Sequence, residues 1–168
     1  MPRLTALLDN FKFCATRLEA RQEYLDLSEQ PLFEAYRNGR LIHAPVRNEW
    51  ADFIRSRKFM KTFSRIRLIT SPLTPYTRFE LEWLYAPNLE AGEEIQVAEI
   101  AAPYPEKDFW IFDNQILARM DYTEDGVFEG IEVTEDPVEV QKAMDVVAEY
   151  SAVASSLATY LTALRARQ

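Results

Sequence analysis

Residues 109–133 read FWIFDNQILARMDYTEDGVFEGIEV, and this stretch decides the fold. Three strand-like runs, 109–112, 115–122 and 127–133, are separated by Asp113-Asn114 and Asp125-Gly126. Both breaks use residues that tolerate positive φ and make tight turns, so the runs are predicted to pair as an antiparallel three-strand meander. Downstream, Asp136-Pro137 opens a helix with an apolar stripe of Val140, Met144, Val147, Ala154, Leu157 and Leu161. Read as continuous to residue 164, it is about 28 residues, roughly 42 Å, long. Upstream, 94–100 reads as a strand. Residues 75–91 admit two readings: a helix with Tyr76, Phe79, Trp83 and Pro87 on one stripe, or a strand in which Phe79, Leu81, Trp83 and Tyr85 alternate. The Thr74-Pro75 start and the Gly92 stop favour helix. Farther back, strands are predicted at 65–70 and 14–24. Helices are predicted at 4–8, at 46–63, and from a Ser28 cap to Asn38-Gly39. The expected fold is α+β: a mixed, largely antiparallel sheet ending in the meander, with helices packed against it and a long C-terminal helix.

The chain of 168 residues is short enough to be read as a single domain spanning 1–168 and long enough to bury a core without staples. One cysteine, Cys14, allows no internal disulfide, which favours a cytoplasmic setting. The start carries Asp9 and Lys12 where a signal peptide would be apolar, and the longest uncharged run, 150–164, is too short and too rich in Ser and Thr to span a membrane. The net charge of −8 hides an asymmetry: residues 1–70 hold 13 Lys/Arg against 8 Asp/Glu, and the remainder 6 against 19. Such a split marks either a charged partner surface or two halves that neutralise each other, and the second reading is favoured. Overall acidity argues against direct nucleic-acid binding.

Nucleophilic catalysis needs a nucleophile beside a base. The only histidine, His43, lies among apolar neighbours, and Cys14 reads as a small buried hydrophobe. One His and one Cys exclude the usual zinc site, and no cofactor motif is present. Carboxylates remain. On the helix reading Glu80 shares the apolar stripe and needs a cationic partner, for which Arg65, Arg67 and Arg17 are the candidates. The competing reading gathers Glu19, Glu80, Asp108 and Asp113 around a divalent ion. A basic helix face is expected at Arg47, Arg55, Lys58 and Lys61, opposite Phe53, Phe59, Met60 and Phe63. The uncharged C-terminal run presents Val153, Leu157, Tyr160, Leu161 and Leu164. As part of one continuous helix it would leave a second apolar face for a homodimer or a partner; the alternative is a break near Ser151 that folds the helix back and buries both faces in one monomer.

Several blocks occur together in order: Arg17-Leu18-Glu19, Arg78-Phe79-Glu80, Ala91-Gly92-Glu93-Glu94-Ile95, Asp108-Phe109-Trp110-Ile111-Phe112-Asp113 and Glu135-Asp136-Pro137. In these the chain resembles the actinobacterial domain-of-unknown-function family 6879, from about residue 8 to 150, with 151–168 as a helical extension. The resemblance implies no activity; members stand beside helix-turn-helix regulators, in loci of toxin–antitoxin or developmental type. The expectation is a non-enzymatic protein-interaction module serving such a regulator, with a protein partner, no membrane and no directly bound nucleic acid. Its candidate binding residues are Arg17, Glu19, Glu80, Asp108, Trp110 and Asp113, without metal or cofactor. The alternative is a metal-dependent nuclease-like hydrolase.

Overall fold

A computed structural model describes residues 3–39, 48–101 and 107–166. His43 and Arg47 lie outside the described residues.

The centre of the sheet is β1 (Cys14–Glu19) paired in parallel with β2 (Thr62–Ile69), which pairs in parallel with β3 (Glu94–Glu99). On the other side of β1 lies β4 (Phe109–Phe112), antiparallel to it, followed by β5 (Ile116–Tyr122) and β6 (Phe128–Thr134), each antiparallel to its neighbour. A two-residue strand, β7 (Ser155–Ser156), closes the β3 edge. The order is β6-β5-β4-β1-β2-β3-β7, a mixed sheet of α+β class. Asp113 and Asn114 adopt φ of 51° and 56°, as a tight turn with right-handed strand twist requires.

The period of two splits the sheet into two faces. Leu18, Ile66, Leu68, Ala98, Phe109, Ile111 and Leu117 point to one face, covered by Val140 and Ala143 of α6 (Pro137–Val153). The other face carries two apolar clusters. Near β4 and β5, Phe63, Trp110 and Phe112 pack with Phe11 and with Ala51 and Ile54 of α3 (Glu49–Arg57); α1 (Leu4–Asn10) adds half-buried leucines. Near β3, Ile69, Ile95 and Val97 pack under Tyr76, Phe79, Leu84 and Tyr85, with α2 (Gln30–Arg37) outside them. Between the clusters, on the same face, stand Arg17, Glu19, Arg65 and Arg67.

Residues 75–91 are helical, in three pieces: α4 (Pro75–Phe79), a π turn (Glu80–Leu84) and α5 (Ala86–Ala91). Thr74 caps the start by accepting from Thr77 N–H, and Gly92, at φ 110°, ends the run.

Four expectations are corrected. The strand predicted to residue 24 stops at Glu19, because the Asp108 carboxylate takes the N–H groups of Ala20 and Arg21 away from any ladder. The cap of α2 falls at Glu29, with Ser28 hydrogen-bonded to Asp26 instead. The basic helix ends at Arg57, so Lys58 and Lys61 share no helix face with Arg55. Phe59 and Met60 are exposed rather than packed. The C-terminal helix breaks at Ala154, which is extended (ψ 156°); Ser155 and Ser156 pair with Val97 and Gln96, and α7 (Leu157–Ala166) turns back. Leu157 is buried and Tyr160 and Leu161 are half-buried against the β3-side cluster, while Leu164 is half-buried. Of the predicted dimer or partner surface only Val153 is exposed. The second apolar face that called for a homodimer is met by the chain itself.

Candidate functional site

The charges of β1 and β2 face one another because the register sets Arg17 beside Arg65 and Glu19 beside Arg67. Three buried ions and the half-buried Arg17 in the middle of a sheet face need mutual compensation. Glu19 supplies much of it. Its Oε1 accepts from Arg17 Nη2 at 2.7 Å, and its Oε2 from Arg65 Nη1 at 2.7 Å and Tyr85 Oη at 2.6 Å. Arg65 spans to a second carboxylate, donating from Nε to Glu93 at 2.9 Å; Glu93 also accepts from Trp50 Nε1 at 3.1 Å. Arg67, fully buried, donates to Glu80 at 2.5 Å and, from its other terminal nitrogen, to the carbonyls of Arg21, Leu68 and Glu19. The ion pairs Arg65–Glu93 and Arg67–Glu80 join the basic first part of the chain to the acidic second part inside the core. The Arg17 guanidinium lies 5.4 Å from the Trp110 ring centre.

The π turn places two of these partners. Residues five apart in an α-helix diverge by about 140° around the axis. Here Tyr85 N–H donates to Glu80 O, five residues back, and the widened turn brings Glu80 and Tyr85 to the same inner side.

Burial opposes the Glu19 charge, but Arg17 and Arg65 overcome it and hold the carboxyl well below the usual range. Glu80 differs: burial outweighs Arg67, and its carboxyl is pushed up to about 8. Burial also raises Glu29, whose carboxylate accepts from Tyr76 Oη at 2.6 Å. Arg17 Nε, Arg67 Nε and Trp110 Nε1 are buried without a hydrogen-bond partner among the described residues.

Above the network opens a cavity of about 530 Å³. Its floor is Arg17, Glu19 and Arg65, and its helical wall is Glu80, Leu84, Tyr85 and Asn88. The opposite wall is an unbroken run of rings: Tyr76 to Tyr24 at 6.0 Å, Tyr24 to Tyr122 at 5.4 Å and Tyr122 to Phe128 at 5.8 Å. Leu25 and Val127 form part of the exposed rim, and Leu25 N–H donates to Gly126 O at 3.1 Å.

Of the residues singled out from sequence, Arg17, Glu19 and Glu80 come together at this cavity. Trp110 lies beneath Arg17. Asp108 stands apart, accepting from Ala20 and Arg21 N–H and from Tyr24 Oη at 2.5 Å. Asp113 clamps the β4–β5 turn by accepting from the N–H groups of Lys12, Phe13 and Cys14. The four carboxylates of the nuclease-like alternative therefore do not converge, each being engaged by arginines or backbone. Among the described residues no group of three metal-ligating side chains forms. That alternative is overturned. Sequence reasoning missed Tyr24, Tyr76, Tyr85 and Tyr122; their clustering leaves no local signal, since each comes from a different part of the chain.

Fold and site define an α+β domain with a charged, aromatic-walled cavity on one face of a seven-stranded mixed sheet. The chain belongs to the family described as domain of unknown function DUF6879, whose model matches residues 2–162 and so runs past Tyr150. No curated protein matches it. A solved structure of TrmBL2, described as an archaeal chromatin protein with a novel mode of DNA binding, is similar at 12% identity and TM-score 0.48. It is matched over 89% of this chain and 48% of its own, so the chain spans about half the length of that protein. The expected accessory protein-interaction module is withdrawn, and with it the exclusion of nucleic acid from the partners. A likeness this distant lends the chain no activity of its own. Among the described residues no helix is long and apolar enough to cross a membrane.

Proposed function

We propose that this domain binds a small polar molecule in the cavity above Arg17, Glu19 and Arg65. The observation that carries the reading is the cavity itself. Its volume of about 530 Å³ falls in the range of small-molecule sites, and convergent ionised groups meet an aromatic wall there. The groups that would contact a ligand are held by their neighbours: Glu19 by two arginines and Tyr85, Arg65 by two carboxylates. Such preorganisation lowers the ordering cost of binding. Arg17, Glu19 and Glu80 are the binding residues, with Tyr24, Tyr76 and Tyr122 as the stacking wall. A cytoplasmic setting, favoured by the single cysteine, belongs to the same reading.

The test is a thermal-shift panel of small cationic, neutral and anionic metabolites, run on the native protein and on Leu25→Trp and Val127→Trp. Both replacements sit on the partly exposed rim and narrow the mouth without entering the core. The expected result is a compound class that raises the melting temperature of the native protein and loses its effect in the rim variants. A panel with no response in any class contradicts the reading.

A further inference from the structure

We propose that the cavity takes a small organic cation, its ammonium or guanidinium group seated between the Glu80 and Glu29 carboxylates against the rings of Tyr76, Tyr24 and Tyr122. The inference rests on the cavity reading above and names the ligand class.

Charge comes first. The lining carries Arg17 and Arg65 against Glu19, Asp26, Glu29 and Glu80. Arg65 is engaged by two carboxylates, Glu19 and Glu93, and Arg17 is paired with Glu19, though its Nε keeps no hydrogen-bond partner among the described residues. Glu80 has one ion-pair partner, Arg67, and a single hydrogen bond to it. Glu29 accepts one hydrogen bond, from a neutral phenol, and among the described residues no Lys or Arg pairs with it. A carboxylate offers about four acceptor positions, so both retain capacity on the cavity side. The lining thus offers a cation open carboxyl acceptors, which an anion could use only where they carry a proton.

The wall supplies the second observation. Aromatic faces attract cations, most strongly where water is excluded. This wall already does so within the chain: Arg67 lies 5.5 Å from the Tyr24 ring centre and Arg21 lies 5.5 Å from that of Tyr122. Tyr76 links both elements, since its ring contacts Tyr24 and its hydroxyl donates to Glu29. Burial raises the protonation of Glu80 and Glu29, and a bound cation would reverse that.

The experiment is calorimetric titration near neutral pH with choline and with putrescine, using 3,3-dimethylbutan-1-ol as the uncharged isostere of choline. Binding of either cation without binding of the alcohol is expected. The heat should depend on the ionisation enthalpy of the buffer, because Glu80 releases a proton as the cation binds. Glu29→Gln alters a half-buried group and, with its fold checked by melting temperature, should weaken the cation by about tenfold. Failure of both cations, equal binding of the alcohol, or an unaffected Glu29→Gln overturns the proposal. If neutral or anionic members of the thermal-shift panel bind while both cations fail, only the ligand class falls. Silence across all classes removes the cavity reading as well.

Discussion

Arg67 donates to Glu80 at 2.5 Å, with the arginine side chain fully buried and that of the glutamate 5% exposed. The pair ties β2 to the π turn and so fixes the helical wall of the cavity to its floor. Removing one member of such a pair strands a buried charge. Glu80→Ala, which leaves the always-charged Arg67 without its acceptor, is expected to cost about 3–5 kcal/mol, and Arg67→Met less, because Glu80 takes up a proton once its cation is gone. The double replacement should cost less than the sum. Urea unfolding midpoints of the four proteins measure this, and additive losses would mean that the two residues are not coupled.

The same glutamate makes stability depend on pH. Its folded value of about 8 lies above the ordinary 4.5. Its favourable contribution is therefore complete below about pH 4.5 and is lost as pH rises towards 8. Glu19 acts in the opposite sense: held low by Arg17 and Arg65, it stabilises above its ordinary value and gives way only as pH falls well below that. Unfolding free energies from pH 5 to 8 should fall for the native protein relative to Glu80→Gln, each unit of separation being worth up to about 1.4 kcal/mol. Parallel profiles for the two proteins would count against the raised carboxyl.

Gly126 holds the rim of the cavity. At φ 89°, a Cβ there would lie 3.0 Å from Glu23 O and 3.2 Å from Leu25 N. Gly126→Ala is expected to destabilise by about 1–3 kcal/mol and to displace the segment carrying Tyr24 and Leu25. Thermal unfolding tests the first part. A shift in tyrosine near-ultraviolet dichroism tests the second.

Leu157 closes the β3-side cluster after the chain breaks at Ala154, and it is 1% exposed. Leu157→Ala should cost about 2–5 kcal/mol, as a buried truncation does, whereas Val153→Ala, on an exposed side chain, should be close to neutral. Chemical denaturation of both variants decides it; equal effects would place the two residues in the same environment.

What the sequence made legible is local chemistry. Asp113-Asn114 announced its turn because few residues accept positive φ, and Glu80 announced a buried partner because a carboxylate on an apolar stripe demands one. What it left hidden depends on distant residues. Nothing near residue 154 marks the helix break, which is stabilised by the pairing of Ser155 and Ser156 with the edge of β3 and by Ser151 donating to Gln96 at 2.7 Å. β1 stops at Glu19 because of Asp108, 88 residues beyond Ala20. The π turn offers no sequence signature, and without it Glu80 and Tyr85 would not share a side. The cavity was hidden for the same reason, its rings being contributed by Tyr24, Tyr76, Tyr122 and Phe128 from separate stretches.

The central claim is that the cavity, and not another surface, receives the ligand. Amide chemical-shift mapping of the native protein, with the compound that raises its melting temperature most, tests this directly. The account predicts shifts at Tyr24, Leu25, Tyr85, Asn88 and Gly126 around the cavity, and none at Val140 or Ala143 on the opposite face of the sheet. Shifts confined to α6, or to the exposed Phe59 and Met60, would contradict it.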